Sequence, residues 1–231
     1  VTVESMVSIP AKSSWVAASF SPDGTAVASV TALGVLEVRS NPWSRALGAG
    51  SLKGASPSTS LSKVRLGWSP DGRWLAVVSG REWWNVSITK TGLSFSKAMA
   101  LPVEPTGMAW VPGEDQWWVT YGSAHAAQRL RRTGDGSGSG NWVLEDAPGI
   151  PSSVSILVAD TATGGALWLS DSNGVVQKWT QSSATQRRLS APVRSLLWDR
   201  SGSNGIALLT DGSAETIFRT LSLTNGARMA G

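Results

Sequence analysis

Few side chains in this 231-residue sequence are of the kinds that do covalent chemistry: there is one histidine, His125, and no cysteine. Lack of cysteine removes disulfides, thiolate ligands and thiol nucleophiles together. One histidine cannot build the usual zinc sites. A serine–histidine relay through His125 would need a companion nucleophile, and no Gly-x-Ser-x-Gly elbow is present. Ser123-Ala124-His125-Ala126 reads as a turn into a strand. The run Gly134-Asp135-Gly136-Ser137-Gly138-Ser139-Gly140 has the look of a phosphate cradle. It lacks the Gly-Lys-Ser/Thr ending and no helix pattern follows, so it reads as a flexible linker. Asn85-Val86-Ser87 matches a glycosylation sequon but falls in a predicted strand. No catalytic, cofactor-binding or metal-binding residue is assigned.

Carboxylates are the remaining acid–base candidates. Asp23, Asp71, Asp160, Asp171, Asp199 and Asp211 are spread along the chain, each beside turn-forming residues. Glycoside hydrolysis needs two carboxyls within ~5–10 Å of each other. An aspartate in a tight turn more commonly bonds its own backbone, and that role is expected for these six.

Two groups have the chemistry of binding. Arg129, Arg131 and Arg132 fall in one predicted strand, with Arg187, Arg188 and Arg194 further on. Such a cluster suits phosphates or an acidic protein surface, its alternative being unrelated solvated charges on outer strands. The pairs Trp83-Trp84 and Trp117-Trp118 are the second group, in a chain with 13 tryptophans against one tyrosine and three phenylalanines. Strand neighbours point to opposite faces. One ring of each pair is therefore expected to pack between sheets and the other, with Trp83 and Trp117 as candidates, to be available to a partner, as in interface hot spots; the alternative is that packing buries both.

The elements that position these groups follow from an internal repeat. Phe20-Ser21-Pro22-Asp23-Gly24 recurs as Trp68-Ser69-Pro70-Asp71-Gly72, and degraded copies begin at Trp110, Ala159 and Trp198. These five anchors lie 48, 42, 49 and 39 residues apart, near the ~40–45 residues of a propeller blade. Before each anchor, apolar residues alternate with period two, which marks a strand. A small residue (Ser19, Gly67, Ala109) precedes three of them and allows adjacent sheets to approach. Proline, aspartate and glycine in the turn suit a tight hairpin.

Second strands are predicted at 26–30, 74–78, 117–121, 166–170 and 205–209, and third strands at 35–39, 84–88, 128–131, 175–179 and 216–219. Fourth, more polar strands are predicted at 46–52, 95–101, 142–145 and 186–189. Four antiparallel strands make one blade. The fold class expected is all-β, a β-propeller of about five four-stranded blades in a single domain over residues 1–231. The fifth repeat lacks an evident fourth strand, and Val3–Ile9 resembles one, so the N-terminal strand is expected to close the last blade and protect its edge. The chain opens on Val1 and not Met, so it also reads as an excerpt of a longer chain, in which case Val3–Ile9 closes a blade outside it.

The segments Val16–Ser29 and Val64–Ser79 are similar to the first two strands of a WD-repeat blade, and Gly174-Val175-Val176-Gln177-Lys178-Trp179 to its third strand. On these residues the chain resembles the WD-repeat family. It departs from the family pattern in lacking a Trp-Asp pair at a third-strand end and the Gly-His pair, so the family's His–Asp network has no counterpart. Bacterial propellers of the TolB type, which also use a Trp-Ser-Pro-Asp-Gly turn, are the nearest alternative.

The resemblance implies a non-catalytic scaffold for protein–protein interaction within a larger complex, in the cytoplasm or nucleus. A net charge of +4 makes acidic proteins or nucleoprotein assemblies the expected partners, with direct nucleic-acid contact less favoured because the charge is spread thinly. No apolar stretch approaches the ~20 residues of a membrane span, so no membrane insertion is expected. A carbohydrate- or ligand-binding, lectin-like propeller is the alternative, as is a bacterial envelope propeller. A propeller hydrolase using Asp23, Asp160 and Asp211 is a third.

Overall fold

A computed structural model describes residues 15–40, 45–52, 64–89, 91–111, 115–133, 141–147, 149–151, 153–160, 166–171, 173, 175–179, 184–188, 193–198, 204–210 and 216–222, with backbone pairing alone at 155–160, 166–168 and beyond 173. Strands dominate, and among the described residues no helix is long and apolar enough to cross a membrane. Two compact units are formed, Val1–Ala100 and Leu101–Gly231.

The first unit holds two antiparallel meanders. One runs β1 (Trp15–Phe20), β2 (Ala26–Thr31), β3 (Val35–Ser40), β4 (Arg45–Ser51) in chain order. The other runs β5 (Val64–Trp68), β6 (Trp74–Ser79), β7 (Glu82–Thr89), β8 (Gly92–Phe95), with β9 (Met99–Ala100) also pairing β7. Cross-strand partners share a sheet face, so Ala28, Val30, Leu36 and Val38 of the first sheet meet Leu75, Val77, Trp84 and Val86 of the second in one core. β1 lies against β5 and β4 against β8. At the outer strands the approach is close. A Cβ on Gly48 would stand 2.8 Å from Leu93 Cγ, and one on Gly50 would collide with the Phe95 ring.

The sequence predicts a fourth strand over 95–101, and here the structure differs. Val86 pairs with Phe95 and Trp83 with Met99. Three residues, Ser96–Ala98, therefore oppose two, Trp84 and Asn85. This extra residue is a β-bulge, which breaks the outer strand into β8 and β9. Ser96 spans the break: its N–H donates to the Asn85 carbonyl (2.8 Å) and its Oγ accepts from the Asn85 N–H (2.9 Å).

The second unit holds β10 (Gly107–Val111), β11 (Gln116–Thr120), β12 (Gln128–Thr133) and β13 (Asn141–Asp146) in one meander. β14 (Val154–Asp160), β15 (Ala166–Asp171), β16 (Val175–Trp179) and β17 (Ala184–Arg188) make the next. β18 (Val193–Trp198), β19 (Asn204–Thr210) and β20 (Thr216–Ser222) form a three-stranded sheet. First strands again adjoin, β10 to β14 and β14 to β18. Ala109, Val111 and Trp118 pack with Val154 and Leu169 in the core between the first two of these sheets. Each meander has the up-and-down order of a propeller blade. The segment Val3–Ile9, expected to close the last blade, lies outside the described residues.

Candidate interaction site

The two full copies of the turn are superimposable in their hydrogen bonds. Ser21 Oγ donates to Asp23 Oδ1 at 2.6 Å and accepts from the Ala26 N–H at 2.9 Å. Ser69 Oγ makes the same bonds to Asp71 and Trp74 at 2.6 and 2.9 Å. Gly24 and Gly72 sit at φ 71° and 70°, the left-handed region open to glycine. Asp23 Oδ1 also accepts from the Thr25 N–H (3.0 Å) and Oδ2 from Thr25 Oγ1 (2.7 Å). The Ser21 hydroxyl first, then these Thr25 donors, bring the Asp23 pKa down from 3.8 to about 2. At Asp71 partial burial works upward, but Ser69 and the Arg73 N–H and guanidinium outweigh it and hold the carboxyl below its ordinary value. Carboxylates so held are poor proton carriers at neutral pH. Asp171 also serves a turn, accepting from the Asn173 N–H at 2.9 Å. Side chains at Asp160, Asp199 and Asp211 lie outside the described residues, as does the glycine run 134–140.

His125 closes a short 3-10 turn, Gly122–Ala124, ahead of β12. Its ring meets Tyr121 edge-on at 5.2 Å, and Nδ1 lies 2.9 Å from the Ala126 carbonyl. Tyr121 is buried, which pushes its phenol well above the ordinary range, and its hydroxyl donates to Gln128 Oε1 at 2.9 Å. Among the described residues no group of three His, Asp or Glu side chains is placed to hold a metal ion.

Burial corrects the expectation that one tryptophan of each pair remains available. Trp83, Trp84, Trp117 and Trp118 are at most 4% exposed. Alternation does send each pair to opposite faces, with Trp84 in the core between the first two sheets and Trp118 in the core between the next two. The other faces are covered too, so Trp83 and Trp117 present no surface. Trp117 packs edge-on against Trp110 at 5.0 Å, and Trp110 against Trp142 at 6.3 Å. These rings are core, and they offer no stacking platform for a sugar.

The arginines divide by the same alternation. Arg129 pairs with Glu145 and Arg131 with Val143 across β12–β13, all on one face, while Arg132 pairs with Trp142 on the other. The three therefore do not form one stripe. Glu145 takes both of its neighbours: Arg129 at 3.1 Å and Arg131 at 2.8 Å. Arg131 chiefly, and Arg129 after it, lower the Glu145 pKa, and the carboxylate raises that of Arg131. One carboxylate against two guanidinium groups leaves a formal excess of one positive charge. The Arg131 side chain is 48% exposed and Val143 41%. Arg187 and Arg188 stand on the outer strand β17 and Arg194 on β18, their side chains outside the described residues.

A second feature gives no sign in the repeat pattern. Beside the bulge, between β4 and β8, opens a groove of about 810 Å³ lined by Gly50, Ser51, Trp84, Phe95 and Lys97 among others. Its sequence signals were the small residues Gly48-Ala49-Gly50-Ser51 and the interruption of apolar alternation at Ser96-Lys97.

No protein-family model matches this sequence, and no curated protein does. Solved structures share the fold. U3-55K aligns with a TM-score of 0.62 at 16% identity, over 94% of this chain and 63% of that one. The β-propeller domain of Myceliophteria thermophila Cps50 (Swd1) aligns at 0.71 and 15%, over 98% and 71%. The WD40 repeats of RRP9 align at 0.60 and 15%, over 94% and 62%. The chain thus spans less than two thirds of the length of two of them. The shared architecture is the all-β propeller of antiparallel four-stranded sheets, similar to WD-repeat propellers.

Proposed function

We propose that this chain is a non-catalytic scaffold which holds partner proteins in a larger assembly, residues 1–231 acting as one propeller domain. The observation that carries the reading is the Arg129–Glu145–Arg131 cluster on the third and fourth strands β12 and β13: partly exposed, with Arg131 the most open, positively charged in excess, and flanked by exposed Val143. An acidic protein surface fits that chemistry, because a second carboxylate completes the charge balance. Arg187 and Arg188 stand on β17, the outer strand of the neighbouring sheet. Likeness to WD40-repeat propellers supports the class, and the engagement of Asp23, Asp71 and Glu145 in structural bonds speaks against acid–base work there. A setting in the cytoplasm or nucleus belongs to the same proposal.

Fractionation of a native extract at physiological salt, followed by mass spectrometry of the peak containing this chain, tests the reading. The expected outcome is elution well above 24.2 kDa with at least one companion protein in constant ratio, lost on raising the salt. Elution at the monomer mass with no such companion contradicts it.

A further inference from the structure

The arginine cluster on β12 and β13 is asymmetric. Arg129 brings both Nε and Nη2 to 3.1 Å from one oxygen of Glu145, Oε2, whereas Arg131 donates from Nη2 alone to the other, at 2.8 Å. Arg131 makes no further polar contact among the described residues, and its side chain is the most open of the three at 48%. Most of its N–H donors therefore remain for a ligand. Exposed Val143 stands directly opposite Arg131 in the register, which sets apolar surface beside the open guanidinium. Glu145 thus has two effects: it fixes the position of Arg131, and it cancels one of two positive charges. Arg131 chiefly, and Arg129 after it, keep that carboxylate ionised. Arg132 adds no charge to this face, since it pairs with Trp142 on the other.

From these observations we infer that Glu145 sets the selectivity of the cluster: Arg131 takes the carboxylate of an aspartate or glutamate in a partner peptide, a neighbouring apolar side chain rests on Val143, and phosphate groups are turned away. This inference rests on the scaffold reading and names the anion that the scaffold accepts. A guanidinium already held in place loses little freedom on binding and can meet a carboxylate through two parallel bonds. One carboxylate brings the cluster to neutrality. A phosphoserine carries nearly two charges and would leave the cluster negative, with Glu145 repelling the excess at close range. A nucleic-acid backbone needs several cations along its path, and the cluster offers a net one.

The test is selection of a displayed library of short random peptides on the whole chain. Each selected sequence is then measured in two forms, with its acidic residue kept and with phosphoserine in its place. Peptides with an acidic residue close to a large apolar one are expected. The parent should bind the acidic form at least about threefold more tightly than the phosphoserine form. Glu145→Gln, which keeps an oxygen for Arg131 but removes the charge, should reverse that order. Arg131→Gln should weaken the acidic form at least about tenfold, and Lys97→Gln, in the other unit, should leave it unchanged. Variants are compared at equal folded content by circular dichroism; where Glu145→Gln does not fold, the parent's own preference between the two forms decides. No selected peptide, peptides without an acid, indifference to Arg131→Gln, a parent that prefers phosphoserine, or an order unchanged in folded Glu145→Gln would each overturn the inference. So would tighter binding of a mixed-sequence single-stranded oligonucleotide than of the peptides. If any of these appears while the native assembly persists in extract, the selectivity assignment falls and the scaffold reading stands.

Discussion

The indole Nε1 of Trp68 donates a hydrogen bond to the backbone carbonyl of Ser19 at 3.2 Å, joining the first strands of two successive sheets. Ser19 precedes the anchor Phe20, and Trp68 is the next anchor, 48 residues on. The aromatic at the head of the repeat therefore reaches back to the small residue of the preceding repeat. Trp68→Phe keeps most of the ring and removes the donor, and should cost about 1 kcal/mol, the net value of such a bond. Trp68→Ala should cost about 2–3 kcal/mol, below the full core value because the ring is only half-buried. Denaturant unfolding measures both.

Gly50 is a position of close approach. Any side chain there meets the Phe95 ring, and Gly50→Val should destabilise by about 1–3 kcal/mol through overpacking. Combining Gly50→Ala with Phe95→Leu should cost less than the two single changes together, because the smaller partner makes room. A double-mutant cycle in urea reads that coupling directly.

Acid should loosen the Ser-Pro-Asp-Gly turn at Asp23 only below the ordinary carboxylate range. The folded pKa of Asp23, about 2, lies below its ordinary 3.8. A depressed carboxylate contributes stability that is fully present above the unfolded value and lost as pH falls through the folded one. The contribution should hold above about pH 4 and disappear towards pH 2, and Asp23→Asn should flatten stability against pH in that window. Ser21→Ala, which removes the principal donor, should move the Asp23 titration upward in NMR.

The tryptophan pairs should behave as core. Trp83→Ala and Trp117→Ala should each cost about 3–5 kcal/mol, lowering the melting temperature or the yield of folded protein. Surviving folded protein should bind any partner as the parent does. Selective loss of a partner at unchanged stability would show that these rings contact it.

Much of the fold is legible in local chemistry. The Ser-Pro-Asp-Gly turns announce themselves because proline, aspartate and glycine each answer one demand of the bend. The second strands follow because β-branched and aromatic residues run directly out of them, and the edges fall within a residue or two of expectation. What is not legible needs register. The bulge at Ser96–Ala98 is one extra residue against Trp84 and Asn85, visible only once Val86 is paired with Phe95 and Trp83 with Met99. The meeting of Arg129 and Arg131 on Glu145 depends likewise on which residues of β12 and β13 stand opposite. For the tryptophans, period two assigns the faces correctly but does not say that both faces are covered.

The central claim is that partners meet exposed side chains of the outer strands, while turn carboxylates and tryptophans hold the fold. Quantitative affinity purification with isotope-labelled parent and variants tests it most directly. Partner recovery should fall sharply for the double variant Arg129→Glu with Arg131→Glu, and stay at the parental level for Asp23→Asn with Asp71→Asn in protein that remains folded. Undiminished recovery with the arginines reversed, or loss with the turn variants alone, would contradict it.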